Sequence, residues 1–180
     1  MLIAIIVIIV LLVLWLISAQ RKLVNADELS KNALSQIGVQ QNSRWDALTA
    51  IAEQIKSYDE HEYNTIKDVI AQRSLIGRDS SVQDAQAQEA QIESALKMIN
   101  VVVEKYPELK ANELYVKSLD DINRYENQVR VSRMTFNDTV TKYNKLIRMF
   151  PDSIAAAIFH FSTRDYLAEP QGKTEMPSMR

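Results

Sequence analysis

Cysteine is absent from the 180 residues. Disulfides, thiolate metal sites and cysteine nucleophiles are therefore excluded. Glycine and proline are scarce, with three and four copies, so few positions can break a helix. The glycines stand alone, which leaves no phosphate-binding loop. Histidine occurs only as His61 and His160. No Glu-x-x-His pair is present, so the paired-carboxylate metal site of helical bundles has no sequence basis. Serine has no motif that supplies a histidine base. Neither sign of charge dominates: the net charge is -2, which argues against bulk nucleic-acid binding. These absences lead us to expect no enzymatic activity, no cofactor and no nucleic-acid partner.

What is present begins with one apolar run. Residues 2–17 are all Leu, Ile, Val, Ala or Trp. With Met1, Ser18 and Ala19 the stretch makes a helix about 28 Å long, close to the roughly 30 Å hydrocarbon core of a bilayer. Leu2, Ile6, Ile9, Val13, Trp15 and Leu16 are the expected anchor positions. No basic residue precedes the run and Ile17-Ser18-Ala19 makes a poor cleavage site, so a retained anchor is favoured over a signal peptide. A pilin stalk lacks its Gly-Phe junction. Arg21 and Lys22 follow immediately, and the positive-inside rule then places the N-terminus outside and the body in the cytoplasm.

The body reads as all-α. Leu34, Ile37, Trp45, Leu48, Ala52 and Ile55 recur at helical spacing, with Gln41 filling one gap. The anchor is expected to continue into this first helix, through about residue 58, without a break. Gly38 within it suggests close packing of a neighbouring helix rather than a hinge. Ser57 and Asp59 offer caps for a second helix over 59–75, with Tyr63, Ile66 and Ile70 inward and Gly77 as its stop. Residues 82–91 read as loop or frayed helix. Ile92, Leu96, Ile99, Val103 and Tyr106 form a 4-3-4-3 seam, ended by Pro107.

A fourth helix spans about 112–150. Its seam runs Tyr115, Leu119, Ile122, Glu126, Val129, Arg133, Phe136, Val140, Tyr143, Ile147 and Phe150. Glu126 and Arg133 form a polar seam, read either as partly exposed ion pairing or as a buried layer that fixes register. Asn127, Asn137 and Asn144 flank the seam, with partners that spacing does not identify. Residues 152–167 form an aromatic segment, and 168–180 read as a disordered tail.

Several blocks then resemble the LemA family. Residues 32–40, Asn-Ala-Leu-Ser-Gln-Ile-Gly-Val-Gln, are similar to its N-A-W-S-Q-I-D-V-Q block, and Arg44-Trp45-Asp46 follows where it has R-[YH]-D. Tyr58, His61-Glu62 and Ala71-Gln72-Arg73 match its G-Y-x-x-H-E and A-R segments. Residues 106–112, Tyr-Pro-Glu-Leu-Lys-Ala-Asn, resemble its Y-P-[ED]-L-K-A-N turn. Glu126-Asn127, Tyr143-Asn144, Phe150-Pro151 with Phe159 and Phe161, and Arg164-Asp165-Tyr166 complete the series. Thr49 stands where the family has Pro, Gly38 where it has Asp, and His160 where it has Gly. The resemblance implies a membrane-anchored antiparallel four-helix bundle in bacteria, and no reaction.

The expected architecture is an N-terminal transmembrane helix (1–19) continuing into an antiparallel four-helix bundle (20–167) with long first and fourth helices. Such a bundle returns the fourth helix toward the membrane. There Lys142, Lys145 and Arg148 would join Arg21 and Lys22 near anionic lipid, and Phe159, Phe161 and Tyr166 would meet the interface or cap the bundle. The expected function is a scaffold in the bacterial inner membrane that self-associates into a homo-oligomer. The alternative is an adaptor that recruits a signalling or membrane partner.

Overall fold

The computed structural model describes residues 1–168; the expected tail beyond them lies outside the described residues. The described chain is all-helical. Five α-helices follow one another: α1 (Leu2–Ile55), α2 (Glu60–Ala71), α3 (Val82–Lys105), α4 (Glu113–Arg148) and α5 (Asp152–Ile158), with a 3-10 turn over Pro107–Ala111.

α1 is one unbroken helix of 54 residues, about 81 Å long at 1.5 Å per residue. Nothing in its sequence stops it: it has no proline, and Thr49 lies in the helix with its hydroxyl donated to the Trp45 carbonyl at 2.8 Å. Its first part is an exposed apolar cylinder. From Ala19 onward it acquires a buried stripe that includes Leu23, Leu34, Ile37, Trp45, Leu48 and Ile55.

Three apolar clusters show how the other helices use that stripe. At the far end Trp45, Leu48, Ile51 and Ile55 pack with Tyr63 and Ile66 of α2, Ile92 and Ile99 of α3, and Tyr115 and Ile122 of α4. Midway, Leu34 and Ile37 meet Ala85, Val129, Phe136 and Val140. Nearest the apolar end, Ala19 and Leu23 meet Ala155 and Ala156, with Leu146 and Ile147 beside them. Ascending numbers in α1 thus pair with descending numbers in α4, so these two helices are antiparallel. The 36 residues of α4 span about 54 Å, which returns the chain to the level of residue 19.

The corner between α1 and α2 is held by Asp59. Its carboxylate caps α2 by accepting from the backbone N–H of His61 and Glu62 at 2.9 and 3.1 Å. It also accepts from the Tyr106 hydroxyl at 2.9 Å and from Lys105 Nζ at 3.3 Å. The Glu62 amide leads these contacts, which lower its pKa from 3.8 to about 2. A carboxyl depressed by folding stabilises fully above its unfolded value and stops doing so as pH falls through the folded one. Asp59→Asn keeps the cap oxygen without the titration. Its melting temperature should therefore approach that of the unchanged protein as pH drops from 3.8 to about 2; a constant gap would contradict this assignment.

Two expectations require correction. α2 ends at Ala71, well before Gly77. The chain leaves the helix so that Ile76, now buried, can sit on α1; tertiary burial here overrides local propensity. Residues 82–91 are regular helix from the first turn. Ser81 accepts from the Asp84 N–H at 3.0 Å and Asp84 accepts from the Ser81 N–H at 2.8 Å, a reciprocal capping box.

Candidate functional site

Two features stand out: the end where the apolar segment emerges and a polar layer within the body. At the first, Leu2, Ile6, Ile9 and Val13 are exposed, while Trp15 and Leu16 are half-buried against the α5 cluster. α5 approaches α1 closely because both helices present alanine there, Ala155 and Ala156 toward Ala19. The outer side of α5 and the residues flanking it do the opposite. Met149, Phe150, Ile154, Ile158 and Phe159 are all exposed, Phe150 by 80%, beside the emerging apolar helix. Arg21, Lys22, Lys142, Lys145 and Arg148 are exposed around them, and Lys22 Nζ lies 4.0 Å from the Asp152 carboxylate.

The predicted aromatic segment divides in two. Phe159 is exposed on α5, and Phe161 packs back against the Ala19–Leu23 cluster. The chain then turns and runs extended along α4, carrying Tyr166, which is 49% exposed, to the level of Thr141.

His160 makes the turn. Its φ is 58°, a conformation that favours glycine and is costly for other residues. The Phe161 N–H reaches the Ala156 carbonyl at 2.9 Å and the His160 N–H reaches Ala157 at 3.4 Å, a Schellman ending of α5. His160→Gly should raise stability by about 1 kcal/mol, read as a higher urea midpoint; a lower midpoint would refute the strain.

The second feature is the polar layer. Gln41 and Arg44 of α1 are fully buried. Arg44 Nη1 donates to Glu89 Oε1 of α3 at 2.5 Å. Gln41 Nε2 donates to Glu89 Oε2 and to the Ala85 carbonyl, both at 3.0 Å. Burial alone would raise the Glu89 pKa. The adjacent Arg44 charge and hydrogen bond, the Gln41 amide and the Arg133 charge outweigh it and keep the carboxyl below its usual value. The layer's hydrogen bonds join α1 and α3; Arg133 of α4 is half-buried and adds its charge to it. Glu126 is half-buried one heptad earlier and also has an interaction partner.

The centre of this layer, Arg44 with Glu89, was not among the residues singled out from sequence. Spacing held the signal: Arg44 is three residues after Gln41, and Glu89 is three before Ile92, so both lie on inward stripes. Among the described residues no cluster of His, Asp and Glu is arranged to hold a metal ion, and both histidines are exposed.

An all-helical chain, whose longest helix is open and apolar at one end and core-forming at the other, defines a class of helical proteins with one candidate membrane span. The particular family follows from comparison. The LemA family model matches residues 33–180, and the chain belongs to the LemA family. It is also similar to Protein LemA of Metamycoplasma hominis, with 26% identity over 121 residues, covering 67% of this chain and 55% of that protein. The chain therefore spans about half the length of that relative.

Proposed function

We propose that this chain is a non-enzymatic scaffold of the bacterial cell membrane. It is a single-pass protein with its N-terminus outside, its body in the cytoplasm as an antiparallel four-helix bundle, and copies associating through anchor and body. The observation that carries this reading is the continuity of α1 from Leu2 to Ile55. An anchor and a body that share one helix cannot reorient independently, so association of anchors would directly align the bodies.

The exposed apolar residues at and beside α5 support contact of the body with the membrane surface. Burying such surface in the interfacial region is favoured at roughly 25 cal/mol per Å², and flanking Lys and Arg add attraction to anionic headgroups. Protease added outside intact cells should leave the body uncut and cut it after permeabilisation; digestion in intact cells would reverse the orientation. Crosslinking with native-mass measurement in mild detergent should give a discrete homo-oligomer. A monomer that retains a different protein would instead identify an adaptor.

A further inference from the structure

Residues 162–168 form an extended strap held by α4 through its main chain. Asn144 Nδ2 donates to the Arg164 carbonyl and its Oδ1 accepts from the Arg164 N–H, both at 2.9 Å. Asn137 treats Leu167 in the same way, both bonds at 3.0 Å. The Tyr143 hydroxyl donates to the Ser162 carbonyl at 2.9 Å. A carboxamide has one donor side and one acceptor side, so each asparagine pairs with the peptide as a neighbouring strand would.

The register is matched by geometry. Seven helical residues rise about 10.5 Å, and three extended residues cover about 10 Å. Asparagines seven apart therefore fall opposite strap residues three apart.

Two side chains add selectivity. Arg164 reaches across to α1, where Nη2 and Nε lie 2.7 and 2.8 Å from Asp27 Oδ1, and its guanidinium stacks 5.7 Å from the Tyr143 ring centre. Leu167 is 3% exposed and enters the cluster of Leu34, Phe136 and Val140. The groove between α1 and α4 thus reads an extended peptide with arginine and, three residues later, leucine. Ser162 is held through its main-chain carbonyl, and Tyr166 only by its hydroxyl, 3.5 Å from Thr141 Oγ1.

We propose that this groove is a peptide-binding site for the Arg-x-x-Leu pattern, and that the strap of a second copy of this chain exchanges into it. The inference rests on the self-association reading above. The strap follows directly on the strained turn at His160, where rotation about one or two residues redirects it. Copies anchored in parallel hold their straps and grooves at the same height above the membrane, so a neighbour's strap arrives in register. Exchange would link copies without any new contact type, because each groove receives the segment it already fits.

The lack of native cysteine makes the test direct. Full-length chains carrying Thr141→Cys alone and Tyr166→Cys alone are co-expressed in one membrane and treated with a short bifunctional thiol reagent. The Tyr166 hydroxyl lies 3.5 Å from Thr141 Oγ1 within one chain, so exchange predicts a crosslinked dimer between the two variants. Adding Arg164→Glu and Leu167→Asp to the Tyr166→Cys chain should abolish that dimer. A synthetic peptide of residues 162–168 should bind the Arg164→Glu, Leu167→Asp chain by fluorescence anisotropy and lose binding when Asn137 and Asn144 are also changed to Ala. No dimer, or one that survives the strap substitutions, would overturn exchange. If native mass still shows an oligomer, self-association stands without exchange. Absence of peptide binding to a variant whose helical circular dichroism is intact would overturn the peptide site itself.

Discussion

Arg44→Ala is expected to destabilise the body by about 3–5 kcal/mol, because removing one partner of a buried pair leaves the other charge uncompensated. The stranded group is Glu89, which would keep only the Gln41 amide at 3.0 Å and the Arg133 charge. Urea unfolding followed by circular dichroism reads the loss directly. Replacing the pair together, Arg44→Met with Glu89→Leu, should recover most of it, since apolar substitution of a buried ion pair is often neutral or stabilising. A double variant no more stable than Arg44→Ala would show that the layer contributes net stability rather than register.

The same pair predicts an acid dependence. Folding lowers the Glu89 pKa, so its stabilisation is present above the ordinary carboxylate range and is lost as pH falls through the lowered value.

Gly38→Ala should destabilise by about 1–3 kcal/mol, the range for overpacking a filled interior. An alanine Cβ at this position would stand 2.2 Å from the Ile76 carbonyl oxygen and 2.8 Å from its Cβ. The obstruction is backbone, so the loop over residues 72–81 must move as a unit. This outcome opposes local propensity, since alanine favours a helix over glycine by about 1 kcal/mol. Gly77→Ala is the matched control: nothing lies within 4 Å of its added Cβ, so thermal melts should show little change. If Gly38→Ala melts at or above the unchanged protein, the close approach of Ile76 does not hold α1. Glycine here admits the backbone of a loop at Ile76, rather than the neighbouring helix that was expected.

The asparagines show where reading the chain runs out. Asn137 and Asn144 flank the α4 seam, yet their partners are main-chain groups 30 and 20 residues away. Spacing within one helix names a face; it does not name what covers that face. The same limit applied to Arg44, whose partner is 45 residues distant. It applied to the segment 152–167 as well, where aromatic content suggested one element that meets the interface or caps the bundle. The backbone instead forms a short helix, a left-handed turn and an extended strap.

The sequence by itself determined the apolar cylinder at residues 2–17, the all-helical body, the continuity of α1 and most inward positions. These properties depend on composition and on periodicities of three and four residues, which neighbouring residues carry. Only the tertiary structure decided that Glu89 neutralises Arg44, that Ile76 lies on Gly38, and that two asparagines clamp the strap. Each of those depends on the separation of two helices, or of a helix and a loop, to within a hydrogen bond's length. That separation is set jointly by every side chain packed between them.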